Sequence, residues 1–297
     1  MSHIIKFIKS FLFFIFSIFN FNTSCLYLSI KFCIIKLLIC IACLIPFYIL
    51  IVLALNAPSR VFYEGNLFIP DFYWQNFADA WHKSKISTAM LNSAIITAGT
   101  LIVTIISGGL AGYAIARHSS KYNNFVFCLL IGCMMIPGII NTVPLYVLMR
   151  RLHAVNTLWG MICVCSALAM PSAVFIYTTF IRAQPKELDE AAALDGCTPF
   201  MTFWRVIFPL IKPATASFVI LNGFGIWNNY AQAVFFLQSR SKQNIPQALS
   251  VFFQQFAGAK WHLMASTAVI AIIPVVVIFL VFQKQFIKGL SDGAMKG

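Results

Sequence analysis

The sequence predicts an all-α polytopic membrane protein with six transmembrane helices, and three observations carry that prediction. Hydrophobic residues make up 60% of the 297 and charged residues 10%, with a mean hydropathy of +0.86, a balance that no water-soluble domain of this length shows. Six stretches, about 37–55, 92–116, 125–149, 158–181, 209–236 and 263–284, reach the roughly 20 apolar residues needed to cross about 30 Å of hydrocarbon. All 8 Asp and Glu fall outside these stretches, and of the 21 Lys and Arg only Lys212 and Lys284 fall within one, each near its end, so no formal charge sits at mid-membrane.

Along the chain, residues 1–30 form a Phe-, Ile-, Lys- and Asn-rich extension. Its apolar run from Phe11 to Phe19 is too short to span, is interrupted by Asn20, Asn22 and Thr23, and precedes no small-residue cleavage site. It reads as an interfacial or irregular extension. Residues 31–86 hold the first span and most of an outer loop, where Pro58, Pro70, Trp74 and Trp81 predict an interfacial helix leading back to the membrane. Residues 87–286 contain the remaining five spans, and 287–297 a C-terminal tail.

Asn92 opens the second span, in which Gly108 and Gly112 lie four apart on one helix face and invite close approach of another helix. The third span carries Pro137-Gly138 and Pro144 around Asn141, so its hydrogen-bond ladder is broken at membrane depth. A kink and a pore lining both fit such a break. In the fifth span Asn222, Gly225, Asn229 and Gln232 recur at helical spacing beside Trp227 and Tyr230. Amides with aromatic edges suit a sugar, whose hydroxyls take amide partners and whose ring faces stack on aromatics; interhelical amide bonds and an aromatic belt are the alternative. Asn141, Asn222, Trp227, Asn229, Tyr230 and Gln232 are therefore candidates for lining a translocation path.

The net charge of +13 flanks apolar spans, so it bears on orientation and not on nucleic acid, which is not an expected partner. With the N-terminus inside, 13 of the 21 basic residues fall on the cytoplasmic side, which supports N-in, C-in topology although Arg150-Arg151 lies on the outer side. The 9 cysteines read as small buried hydrophobes, and Cys163-x-Cys165 lacks zinc-ligand spacing, so neither a metal nor a cofactor is expected.

Between the fourth and fifth spans lies the most informative segment, residues 184–213, charged and helix-forming between two apolar runs. Pro185 can start a helix, Glu187, Asp189 and Glu190 occupy its first turns where the dipole favours anions, and Gly196 can end it in a left-handed cap. Thr198-Pro199 can start a second helix with an apolar face of Phe200, Phe203, Trp204 and Ile207, which Pro209 breaks. Two short helices meeting at a glycine make a rigid knob.

This pattern of Glu190-Ala191-Ala192, Asp195-Gly196, Ile207, Pro209 and Pro213 resembles the EAA loop of ABC importer permeases. Ala111-Gly-Tyr-Ala-Ile-Ala-Arg117, Met135-Ile-Pro137, Pro144-Leu-Tyr146, Trp227-Asn-Asn-Tyr230 and the Gly293-Ala-Met-Lys-Gly297 tail look like carbohydrate importer permeases of the maltose-transporter type, a likeness that covers most of 87–297. The Phe-rich extension departs from it. The resemblance implies a type I ABC importer permease fold in the bacterial inner membrane, with the EAA residues docking on an ATPase. It implies as partners a second homologous permease, a dimer of cytoplasmic ATP-binding subunits, an extracytoplasmic solute-binding protein and a sugar substrate.

The chain lacks the Gly-x4-Gly-Lys-[Ser/Thr] phosphate loop, so ATP hydrolysis is expected on a separate subunit and this chain is not expected to be an enzyme. An ion-coupled secondary transporter would keep intramembrane carboxylates, which are missing here. Glycerol-phosphate or polyols remain alternative substrates within the same broader family.

Overall fold

The computed structural model describes residues 26–59, 68–253 and 260–294. The expectation for the extension lies outside these residues up to position 25, and from Leu26 the chain is helical. No strand occurs among the described residues. The helices are α1 (Leu26–Ala54), α2 (Gln75–Ser84), α3 (Ile86–Arg117), α4 (Lys121–Met134), α5 (Thr142–Arg151), α6 (Leu158–Arg182), α7 (Glu187–Leu194), α8 (Pro199–Thr202) with a π-turn at Phe203–Ile207, α9 (Phe208–Leu210), α10 (Lys212–Trp227), α11 (Ala231–Phe236), α12 (Ile245–Ser250) and α13 (Trp261–Ala294).

The centre of the fold is the pair α3 and α6, which run parallel. Gly99 faces Ile162, Gly108 faces Ala173, and Gly112 faces Tyr177 and Thr178, so the two helices advance in register. A Cβ on Gly108 would lie 2.6 Å from Ala173 Cβ, and one on Gly112 would lie 2.8 Å from Tyr177 Cβ. The glycine face expected from the sequence is thus the seam of the closest helix packing in the molecule.

Parallel neighbours need a return crossing, which residues 118–157 supply. They leave the end of α3, capped by Ser120 at the start of α4, and reach the opposite end of the pair, where the Thr157 hydroxyl accepts from Gly160 N–H and opens α6. The crossing expected over 125–149, with its ladder broken around Asn141, is two helices of 14 and 10 residues separated by a turn at Met135–Asn141. Pro137 and Gly138 sit in that turn, where a missing N–H and low helix propensity stop the ladder.

The fifth crossing is divided too. Helices Pro199–Leu210 and Lys212–Trp227 meet at an angle of 76°, and a second break at residues 228–230 separates α10 from α11. Four helices among the described residues are long and apolar enough to cross a membrane unbroken, Ile35–Ala54, Ile86–Arg117, Leu158–Arg182 and Trp261–Leu280, and the bent pair brings the number to as many as five. The break expected in the third span is thus present at Pro137-Gly138, and the fifth is broken as well, at Ile211 between Pro209 and Pro213 and again at residues 228–230, so the count of six spans is matched by four unbroken helices and up to five with the bent pair among the described residues. The second span begins at Ile86 and not at Asn92, because Lys85 turns the chain with φ 52° directly before it.

α10 runs antiparallel to α6, with Tyr177 Oη donating to Thr215 at one end and Ser172 Oγ donating to Asn222 Oδ1 further on. Tyr177, Ile181, Ile207, Ile211, Ala214 and Phe218 form the core at the 182 end of α6. At the other end Asn92 donates to the carbonyls of Ser241 and Gln243, and Asn244 and Gln247 form a capping box on α12. α1 lies against α13, where Ser266 Oγ donates to Ala54 O. The expected interfacial helix is α2, which Asn76 fastens through bonds to the Ala54 and Asn56 carbonyls.

Apolar side chains cover much of the outside, among them Ile39, Phe47, Ile102, Phe125, Leu129 and Val277. The cysteines follow suit: Cys40 and Cys165 are buried, but Cys33, Cys43, Cys128, Cys133 and Cys163 face outward, correcting the expectation of burial. In a bundle surrounded by hydrocarbon the helix exterior is as apolar as the interior, so hydrophobicity no longer reports burial.

Candidate functional site

The loop between α6 and α10 folds as a knob of two helices. α7 begins at Glu187, with Glu187, Asp189 and Glu190 in its first turn where the exposed N–H groups favour negative charge. It ends where Gly196 N–H bonds to Ala193 O at 3.0 Å and Cys197 N–H to Ala192 O at 2.9 Å, with Gly196 at φ +80°. This is a Schellman cap, and a Cβ on Gly196 would meet nothing within 4 Å, so glycine is required there by backbone conformation and not by space.

The Thr198 side chain accepts from Met201 N–H and opens α8, as its Thr-Pro start predicts. The helix then widens into the π-turn Phe203–Ile207. Pro209 has no N–H and crowds the carbonyl four residues back, at Arg205, inside that turn. Pro213 sits in the first turn of α10, where a missing N–H costs nothing.

The expected apolar face of the second helix divides in two. Phe203 and Ile207 are fully buried, whereas Phe200 is 61% exposed. Phe203 fits against the glycine face of α3, 3.1 Å from a Cβ placed on Gly109, with its ring 5.5 Å from that of Tyr113. Of the remaining loop residues Ala192 is buried, while Glu190, Ala191, Asp195 and Pro209 are exposed. Leu194, at the tip, is 90% exposed. An apolar residue so placed, followed directly by the exposed Asp195 carboxylate, presents a surface suited to a protein partner.

Sequence reasoning placed Asp189 only as a dipole-favoured acid and missed its partners. Tyr113 Oη donates to Asp189 Oδ1 at 2.6 Å, and Arg117 Nη2 lies 2.8 Å from Asp189 Oδ2. Arg117 also donates to the carbonyls of Gln184 and Pro185, at 3.1 and 3.3 Å. The available signal was the four-residue spacing of Tyr113 and Arg117, which sets both on one face of the last turns of α3.

The six candidate path residues separate by environment. Asn222 accepts from Ser172 and donates to Phe218 O, and Asn229 donates to Cys165 Sγ and accepts from Gln232 N–H at the start of α11. Trp227 is 8% exposed and packs with Ala89, Ile245, Ala248 and Ala271. Gln232 is half-buried, its Nε2 lying 3.6 Å from a Cβ placed on Gly138 in the α4–α5 turn. Tyr230 is exposed and Asn141 half-buried in the same turn as Gly138. Three of the six thus spend their groups on the protein itself, and three cluster around the two chain breaks.

A chain of apolar helices with broken crossings and a helical knob at one end is built as a membrane transport subunit. It matches the binding-protein-dependent transport system inner membrane component family over residues 105–292, and it belongs to that family. It is 42% identical over 255 residues to the melibiose/raffinose/stachyose import permease protein MelC of Bacillus subtilis (strain 168), covering 85% of this chain and 91% of that one. It is 34% identical over 206 residues to the arabinooligosaccharides transport system permease protein AraQ of the same organism, covering 69% and 72% of the two chains. Among solved structures, a bacterial ABC transporter involved in the import of the acidic polysaccharide alginate aligns with a TM-score of 0.73 at 20% identity, over 90% of this chain and 99% of that one, and so shares the fold. The protein is a multi-pass membrane permease with the fold of an ABC importer permease.

Proposed function

We propose that the chain is the transmembrane permease subunit of an ATP-driven, binding-protein-dependent sugar importer, supplying half of a translocation pathway and coupling to its motor through residues 184–213. The observation that carries this is the exposed, doubly capped knob on a chain of this family. A floppy loop would absorb the motion of a partner; two helices joined by a Schellman cap transmit it.

The ATPase is a separate cytoplasmic subunit, present twice, which meets Glu190, Ala191, Asp195 and Gly196 on the exposed face, while Ala192, Ile207, Pro209 and Pro213 shape the knob. A second, homologous permease completes the pathway, and an extracytoplasmic solute-binding protein delivers sugar. Both termini are cytoplasmic on this reading, which the excess of basic residues on that side supports. On this reading the importer transmembrane domain occupies 87–286; the family match runs over residues 105–292. The relatives' substrates point to short oligosaccharides. Asn141, Tyr230 and Gln232 line the path around the breaks, and Asn222, Trp227 and Asn229 hold α10 in place beside it.

In this mechanism ATP binding closes the ATPase dimer, the knob moves with it, and the cavity opens outward to receive sugar; hydrolysis resets it. The test is uptake of labelled raffinose by cells with and without the gene. Uptake is expected to disappear on deletion, to survive collapse of the proton gradient and to stop when the ATPase subunit is removed. Uptake that follows the proton gradient and ignores the ATPase overturns the proposal.

A further inference from the structure

The knob is joined covalently to α6 and α10, yet its polar grip is on a third helix. Asp189 stands next to the exposed Glu190, but its carboxylate turns inward, and its side chain is 20% exposed against 8% for Arg117. One oxygen takes the Tyr113 hydroxyl and the other faces Nη2 of the Arg117 guanidinium, which also donates from Nη1 to the Gln184 carbonyl and from Nη2 to the Pro185 carbonyl where α6 gives way to α7. Phe203 is pressed against Gly109 and the Tyr113 ring. Gly109, Tyr113 and Arg117 are spaced by four and form one stripe along the last turns of α3. This stripe touches both helices of the knob, α7 through the carboxylate and α8 through its π-turn extension.

We infer that Asp189 is a positioning residue that clamps the coupling knob to α3 through Arg117 and Tyr113, so that knob movement is delivered to the α3–α6 pair. The inference rests on the coupling role proposed above. Without the clamp the knob keeps the apolar packing of Phe203 and Ile207, but its polar grip on α3 is gone and its chain connections lie at residues 183–186 and at Ile211, where the path bends by 76°. Both are joints that can absorb rotation. With the clamp, α3 and α6 move as one body, because Gly108 and Gly112 already lock them together along their length.

The test uses the complete transporter in proteoliposomes with its ATPase and binding protein, and reads sugar moved per ATP hydrolysed. Asp189→Asn preserves size and an acceptor for Tyr113 but removes the charge facing Arg117. Sugar moved per ATP is expected to fall by about tenfold, and Asp189→Glu to recover a large part of it. Tyr113→Phe removes one hydrogen bond and leaves the ion pair, and a fall of roughly two- to fivefold is expected. A merely structural role would lower the amount of assembled transporter and leave this ratio untouched. Wild-type ratios in Asp189→Asn overturn the inference; if that variant fails to assemble, a wild-type ratio in Tyr113→Phe overturns it. Gly196→Pro separates the two levels of proposal: if it abolishes uptake while Asp189→Asn couples normally, only the clamp is wrong, and if neither has any effect the coupling role of the knob is wrong.

Discussion

Adding one methyl group to the α3–α6 seam tests the parallel pairing on which the fold rests. In Gly112→Ala the new Cβ would lie 2.8 Å from Tyr177 Cβ and 3.0 Å from Thr178 N, and in Gly108→Ala 2.6 Å from Ala173 Cβ. Carbon atoms rest at about 3.5–4.0 Å, so the helices must separate by roughly 1 Å at that level. Neither close neighbour is the far end of a flexible side chain, so local adjustment cannot relieve the clash. Overpacking of this kind costs about 1–3 kcal/mol. Replacing a helical glycine by alanine returns about 0.5–1 kcal/mol of backbone entropy, which leaves a net loss of about 0–2.5 kcal/mol at each position.

Gly132→Ala is the control, since its Cβ meets nothing within 4 Å and only the favourable term applies. The double variant Gly108→Ala/Gly112→Ala should cost less than the sum, because one separation of the helices serves both methyls. The assay is the fraction of detergent-solubilised, tagged protein that stays monodisperse after heating. Gly108→Ala and Gly112→Ala are expected to aggregate at lower temperature than the parent, and Gly132→Ala at the same temperature or higher. Equal stability of Gly112→Ala and Gly132→Ala would refute the close parallel seam.

At Gly196, alanine has room and bears only the left-handed conformation, about 1–2 kcal/mol, so uptake should fall in part; proline fixes φ near −65° and removes the bond to Ala193 O, so uptake should vanish, and equal effects of the two would contradict the cap. With native cysteines replaced, Ser241→Cys should react with an impermeant thiol reagent from outside and Thr198→Cys only after the membrane is opened; labelling of both from one side would contradict the opposed placement of these exposed loops. Asn229→Leu removes the acceptor for Gln232 N–H and should cost about 0.5–2 kcal/mol of stability while uptake per assembled complex stays constant; reduced uptake per complex with unchanged stability would instead make Asn229 a substrate contact.

Local chemistry alone determines much of this protein. Composition and run length placed it in the membrane, because the bilayer demands about 20 apolar residues per crossing whatever the fold. Gly196 and Thr198-Pro199 marked the knob's cap and second start, since a positive φ and an N-cap hydroxyl are properties of single positions. Gly108 and Gly112 marked a seam without naming its partner. Three things were decided only by the tertiary structure. Which helix fills the seam depends on the return crossing of residues 118–157, a contact between residues about sixty apart in the chain. Whether Pro137-Gly138 and the run 228–230 bend a span or split it depends on neighbours that satisfy the freed backbone groups, and both runs split. Finally, Asp189 and Glu190 are adjacent acids in one helical turn, and Phe200 and Phe203 are aromatics in one short helix. The acids divide because the 100° step per residue aims only Asp189 at the Gly109–Tyr113–Arg117 stripe, whereas the two aromatics, three residues apart and so on one side of the helix, divide because only Phe203, where the helix widens into the π-turn, reaches Gly109 and Tyr113.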